Sequence, residues 1–366
     1  MVDINPFGKK MILSIDGGGM RGAITVAMLA ELEKMTGIPT HEQFDMVAGT
    51  STGAIIAAGL GIGMSAQDML DRIYKDRLPA AFRTQAGIKH WLRFIFSGFR
   101  YFYDLRPFRD ALQKLVEGKT IGDLRAPIVF MTTKDVRTGN TYYIVSAGPG
   151  RRTFAKWPVS GAVAASGAAP IFFPPVAGNL IDGGVGPFGN PCLAATIEAM
   201  EYISNDDPEY HSGNVIHLSL GTGYLPNLYE DGAASRFWLK DWVLYVISAS
   251  LDESMLQQVL TTRAIYKDRV DFRRYNPYLY GPSVSKELGI NLRGRPDPAH
   301  LTLDSYGDDD VRLMEEIGRC YARKVDWLAP GYVPWVEDGA DRGKGRDGGH
   351  PLPEIKPVNW AKSGYW

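Results

Sequence analysis

Two apolar runs near the start of the chain, Met11-Ile12-Leu13-Ser14-Ile15 and Phe44-Asp45-Met46-Val47-Ala48, each lead into a glycine-rich turn and then a helical pattern. A short apolar run bounded by glycine reads as a buried strand, and the periodicity behind it as a helix. Strand, tight turn, helix and strand again is the unit from which parallel sheets with helices on both faces are built. Strand-like runs recur at 11–16, 44–50, 126–134, 141–146, 179–182, 214–220 and 269–275. Helical patterns lie between them, including Ala23 to Met35, Asn190 to Ile203 and Trp238 to Tyr266. The expected fold is α/β, a three-layer sandwich with a mostly parallel central sheet.

The first turn is Asp16-Gly17-Gly18-Gly19-Met20-Arg21-Gly22. Three consecutive glycines let backbone N–H groups converge on one small space, a nest that suits a phosphate or a transient oxyanion. Gly17-x-Gly19-x-x-Gly22 formally matches the dinucleotide fingerprint, which also needs an acid near the end of the second strand. That strand ends in Ala48-Gly49-Thr50-Ser51, and its acid, Asp45, stands near its beginning. No Gly-Lys-Ser/Thr closes either glycine loop, so the P-loop pattern fails as well. A nucleotide-binding module built on Gly17–Gly22, and a purely structural turn, remain as alternatives.

The second turn, Gly49-Thr50-Ser51-Thr52-Gly53, has the G-x-S-x-G form of a nucleophile elbow. Its glycines let strand and helix cross closely, and the helix N-terminus places a partial positive field at Ser51. A serine hydroxyl needs a neighbour to take its proton. Of the six histidines, only His217 and His300 follow the serine at triad-like distances, and no motif surrounds either. Asp182, in Leu180-Ile181-Asp182-Gly183-Gly184, is a second candidate. Alone it reads as an Asx-type turn. Read with the two glycine loops, it is a third site behind a short apolar strand, and strand C-termini gather where active sites assemble in parallel sheets.

At this point the chain resembles the patatin-like phospholipases. Asp16–Gly22 is similar to that family's oxyanion-hole loop, Gly49–Gly53 to its elbow, and Asp182-Gly183-Gly184 to its catalytic aspartate motif. Ala165-Ser166-Gly167-Ala168-Ala169-Pro170, followed by Phe172-Phe173-Pro174, resembles a further family segment. Leu218-Ser219-Leu220-Gly221-Thr222-Gly223 and Phe272–Asn276 are weaker matches. The resemblance implies a lipid acyl hydrolase with Ser51 as nucleophile, Asp182 as base and amides of Gly17, Gly18, Gly19 and Met20 as oxyanion donors. It implies a phospholipid substrate and neither metal nor cofactor. A catalytically dead interaction scaffold is the other alternative.

The 366 residues carry a formal net charge of −1, which gives no general attraction to nucleic acid. Two cysteines far apart suggest neither a disulfide framework nor a zinc site. The first ten residues hold no apolar signal-peptide core, and no stretch approaches ~18 apolar residues, so a cytoplasmic protein without a membrane span is expected. Residues 88–103 place Trp91, Phe96, Phe99, Phe102 and Tyr103 on one face at helical spacing, with Lys89, Arg93 and Arg100 opposite. A basic amphipathic helix of this kind predicts peripheral membrane contact, an active-site lid, or simply a helix packed on the core. A domain over 1–330 is expected, its motif-bearing core at about 9–284, with a C-terminal helix at about 308–328 that the Asp308-Asp309-Asp310 run caps. Residues 331–366 read as a Gly/Pro/Trp-rich tail.

Overall fold

The computed structural model describes residues 2–83, 101–116, 118–124, 126–225 and 232–331. Among the described residues seven strands form: β1 (Lys10–Ile15), β2 (Met46–Gly49), β3 (Ile128–Asp135), β4 (Thr141–Val145), β5 (Leu180–Asp182), β6 (Val215–Leu220) and β7 (Asp271–Tyr275). They make one sheet of order β4-β3-β2-β1-β6-β7, with β5 paired to β3. β1, β2, β3, β6 and β7 are mutually parallel. β4 and β5 run antiparallel to β3.

Helices cover both faces, as the strand–helix alternation requires. Those that matter for the site are α1 (Gly22–Thr36), α2 (Thr52–Gly61), α3 (Val159–Ser166), α4 (Cys192–Ile197), α5 (Leu239–Tyr266) and α6 (Asp308–Lys324). Leu13, Ile15, Val47, Leu218 and Leu220 project from one face into an apolar core shared with α1, α2 and α6. Here α6 packs along α1, and most of α1, from Gly22 to Ala30 with Leu32 and Thr36, is buried. Each large aliphatic side chain enclosed this way contributes about 1.5–3 kcal/mol of transfer free energy.

The opposite face is unusually polar. Ser14, His217, Ser219 and Arg274 lie in it, all buried, and α4 covers them with Thr196 Oγ1 hydrogen-bonded to His217 Nδ1 at 2.8 Å. In turn α5 packs against α4, Thr262 Oγ1 meeting Cys192 Sγ at 3.4 Å. Ser14, Ser219 and Arg274 sit in register across β1, β6 and β7. From there the Arg274 guanidinium reaches Asp16, just past β1, with Nη1–Oδ1 at 2.8 Å and Nη2–Oδ2 at 2.5 Å. Ser219 Oγ also accepts from Arg274 and from Asn190 Nδ2. Burial works against the charge on Arg274, and the Asp16 carboxylate outweighs it, leaving the guanidinium above its ordinary pKa.

Some expected boundaries change. The Asn190–Ile203 pattern divides into α4, a π-helical turn at Glu198–Tyr202 and a 3₁₀ turn at Ile203–Asn205. The helix expected at about 308–328 ends at Lys324, where Val325 turns extended and Trp327 folds back to donate its indole N–H to the Ala322 carbonyl at 3.0 Å. Asp308–Asp310 occupy its first turn, favourable for the helix dipole, whereas the N-cap itself is Gly307 and receives no side-chain cap. Residues 101–103 are not helical. Phe102 N–H donates to the Ile171 carbonyl and Tyr103 N–H to that of Phe172, both at 2.8 Å. The Tyr103 ring is buried among Phe82, Phe172 and Phe173. Trp91, Phe96 and Phe99, and the tail beyond 331, lie outside the described residues. Among the described residues no helix is long and apolar enough to cross a membrane.

The buried pair yields a stability test. Arg274→Met leaves Asp16 without its counter-ion, and the expected loss is about 3–5 kcal/mol by urea unfolding. The double variant Asp16→Asn/Arg274→Met removes the orphan charge and should recover much of that loss.

Candidate active site

Ser51 and Asp182 meet because β3 gives one edge to two strands. β4 pairs with Phe130–Lys134 on one side, so β5, which pairs with Thr133–Asp135, must take the other. That side is also the edge where β2 pairs with Ile128–Met131. Strands β2 and β5 therefore run toward each other along β3. Gly49 is opposite Met131 and Asp182 opposite Thr133, so the two chain ends face across a short gap. This corrects the sequence reading, which had Asp182 closing one more parallel strand. The carboxylate arrives head-on from an antiparallel one.

The elbow is as tight as its sequence suggests. A Cβ on Gly49 would strike the Gly53 carbonyl, and one on Gly53 the Ile15 carbonyl. Ser51 takes φ 57° and ψ −119°, a region costly for a residue with a side chain, on the order of 1–3 kcal/mol. Neighbouring bonds hold it there. Gly53 N–H donates to the Thr50 carbonyl at 2.8 Å, and Ser51 N–H to Ser166 Oγ, at the end of α3, at 2.9 Å. Thr50 Oγ1 bonds the Phe188 carbonyl at 2.6 Å and Thr132 Oγ1 at 2.7 Å.

Asp182 is 6% exposed. Its Oδ1 accepts the Gly184 N–H at 2.7 Å, and the Ser51 side chain lies near enough to favour the charged carboxyl. Gly183 lies against Thr132, leaving no room for a Cβ. Burial pushes the Asp182 carboxyl up to about 6, with the Gly184 amide and the nearby Ser51 side chain pulling it back down. A buried carboxylate of raised basicity beside a serine hydroxyl can accept its proton. Neither histidine candidate is placed to do so. His217 is bonded to Thr196 inside the sheet's polar face and burial lowers its pKa to about 3, while His300 binds Asp310 at 2.9 Å.

The triple-glycine loop is pinned at both ends. Gly17 N–H donates to the Gly189 carbonyl and Met20 N–H to that of Leu303, each at 2.8 Å. Thr222 Oγ1 donates to the Gly17 carbonyl at 2.8 Å. The amides of Gly17 and Met20 are thus already engaged. The amides of Gly18 and Gly19 bond nothing among the described residues. Gly19 has φ +57°, and its Cα faces the Leu303 carbonyl so closely that no Cβ fits. Gly17 backs onto Ser51, whose Cβ would stand 3.3 Å from a Cβ added there. Arg21 is buried with Nη1 at 3.4 Å from the Gly223 carbonyl, and burial lowers its pKa against the charges of Asp252 and Asp16. Sequence reasoning quoted the Ser166 and Thr222 segments without a role for either, and passed over Gly189 and Leu303, which act through backbone carbonyls. Among the described residues no His/Cys/Asp/Glu group could hold a metal.

A family model described as patatin-like phospholipase matches residues 13–196, which carry both glycine loops, Ser166 and Asp182. The chain belongs to the patatin-like phospholipase family. It is 30% identical over 315 residues to a cUMP-AMP-activated phospholipase of Escherichia coli, covering 83% of this chain and 92% of that protein. It is 30% identical over 237 residues to a cGAMP-activated phospholipase of Vibrio cholerae, covering 58% of this chain and 63% of that protein's length. The 85/88 kDa calcium-independent phospholipase A2 of Mus musculus is 28% identical over 229 residues, 59% of this chain and 28% of the mouse protein. Among solved structures, VipD from Legionella pneumophila aligns with a TM-score of 0.36 at 13% identity, covering 84% of this chain and 66% of that one.

The raised carboxyl has a cost in stability with a definite sign. The folded state holds the Asp182 proton more tightly than the unfolded chain, whose ordinary value is 3.8. That contribution is complete below about 3.8 and is lost as pH rises through about 6. Asp182→Asn should therefore raise stability by about 1–3 kcal/mol at pH 8 and change it little at pH 4, read from thermal melts at the two pH values.

Proposed function

We propose that the chain hydrolyses fatty-acyl esters of phospholipids through a Ser51–Asp182 dyad. Ser51 Oγ attacks the ester carbonyl and its proton passes to Asp182. The carbonyl oxygen becomes an oxyanion held by the Gly18 and Gly19 amides. The leaving alkoxide takes the proton from Asp182 and departs as a lysolipid, with the acyl group on Ser51. Water then attacks the acyl-serine, Asp182 takes a proton from it, and the fatty acid is released as Ser51 regains its own. The observation that carries this reading is Ser51, at the elbow behind Gly49, facing the buried Asp182 carboxyl across the short gap along β3, beside two unengaged amides. The family match over the same residues supports it.

Activity is expected to climb with pH through an acid limb near the Asp182 value of about 6, because only the ionised carboxylate accepts a proton. Ser51→Ala should abolish release of fatty acid and lysolipid from mixed phospholipid vesicles, followed by mass spectrometry, and should abolish labelling by a fluorophosphonate. Gly18→Pro deletes one proposed oxyanion donor, a loss of ~10²–10³ in turnover. Unlabelled Ser51 in the wild type would favour the dead-scaffold alternative. Full activity in Asp182→Asn would remove the dyad.

Activation by a cyclic dinucleotide is a second part of the reading, favoured by the E. coli alignment, which runs over nearly all of that cUMP-AMP-activated relative. Added cUMP-AMP or cGAMP should raise turnover of the purified protein; an unchanged rate across both would remove this part. Access to lipid at a membrane surface through Trp91, Phe96 and Phe99, in a cytoplasmic protein whose domain ends near residue 330 ahead of the 331–366 tail, completes the proposal.

A further inference from the structure

One buried contact beside the nucleophile has no part in the chemistry described above. The Tyr74 phenol is fully enclosed, and its Oη hydrogen-bonds Thr52 Oγ1 at 2.5 Å. Thr52 follows Ser51 and is the first residue of α2. The same two oxygens occupy the space beside Gly22, where a Cβ would collide with both. Gly22 closes the triple-glycine loop and begins α1. A single hydroxyl pair thus lies where the two helix starts cross, one behind Ser51 and the other behind the Gly18 and Gly19 amides.

The segment that delivers Tyr74 is itself unusual. Leu70–Arg77 is wound as a π-helix of eight residues between short α-helices at Ala66–Met69 and Leu78–Arg83. Such winding is rare, seldom exceeds one turn, and concentrates at functional sites. It buries Leu70, Ile73 and Tyr74 while Asp71 and Lys75 stay exposed. Lys75 is tied on that outer side to Asp71 at 3.0 Å and to Glu315 of α6 at 2.8 Å. The π-helix is anchored outside by an ion pair and inside by the phenol. Burial keeps that phenol protonated, and hence able to donate.

We propose that Tyr74 is a positioning residue: its hydroxyl, bonded to Thr52 and seated against Gly22, sets the spacing between the nucleophile elbow and the oxyanion loop. The inference rests on the reading of Ser51 as nucleophile. Phenylalanine preserves the ring and its packing but cannot make the bond, so the elbow and loop lose their common fixed point. Displacements well below an ångström at that spacing matter, since misplacing reacting groups by about 1 Å costs up to ~10²-fold in rate.

The test uses the full chain, a soluble p-nitrophenyl ester for kcat and KM, and the rate of fluorophosphonate labelling of Ser51. Tyr74→Phe should lower kcat and the labelling rate about tenfold or more, with KM within about twofold of wild type. Thr52→Val, close in shape and lacking the hydroxyl, should reproduce that pattern and carries the test if Tyr74→Phe does not fold. In the double variant the losses should not multiply, because both single changes break one bond. A purely structural tyrosine would lower Tm and leave kcat and labelling untouched, and that result, or losses that multiply, overturns the proposal. Failure of the wild type to label at all would instead overturn the nucleophile assignment.

Discussion

The structure depends on how β3 divides its edge. Two strands of opposite direction share one side of it, and the hydrogen-bond ladders fix where each must stop. Because ladder register is set residue by residue, the gap between Gly49 and Asp182 is fixed by backbone bonding instead of loop conformation. Everything in the site is then a matter of what happens in that gap. The serine is forced into a strained backbone by two glycines that let helix and strand touch, and the carboxylate is held by its own turn through Gly184.

Around this gap the protein accepts unfavourable burial where chemistry or assembly needs it. Asp182 is enclosed without a cation, so its affinity for protons rises. Asp16 is enclosed with one, and the Arg274 fork ties the beginning of the glycine loop to β7 across β6. The contrast sorts their roles. Burial pushes the Asp16 carboxyl up as well, against the pull of Arg274, so it is the ion pair that makes Asp16 an anchor and its absence that leaves Asp182 as the proposed proton acceptor.

Much of this was legible in the sequence, and the parts that were not share a cause. The strands, the elbow and the triple-glycine loop announce themselves through side chains, or the lack of them, at close crossings. Asp182 was found by its Asp-Gly-Gly turn, yet nothing in Leu180-Ile181-Asp182 says which way the strand runs. The anchors of the triple-glycine loop at Gly189 and Leu303 are carbonyls, which every residue possesses, so no residue type marks them. For the same reason four amides looked equivalent until the folded chain engaged those of Gly17 and Met20. Arg274 is 258 positions from its partner, beyond any local pattern. The apolar spacing of residues 88–103 counts Phe102 and Tyr103 as helical, because period alone does not see the backbone of Ile171 and Phe172 waiting to pair with them.

The short β5 strand carries a wider consequence. Its register against β3 is set by ladder bonds and not by the length of the stretch that joins the two strands, residues 136–179, and the entropy of closing such a connection grows only slowly with its length. Portions of that excursion outside β4 and the α3 segment that carries Ser166 can therefore lengthen without displacing the acid it leads to. Separation along the polypeptide is a poor guide to this pair of groups; their shared neighbour is the better one.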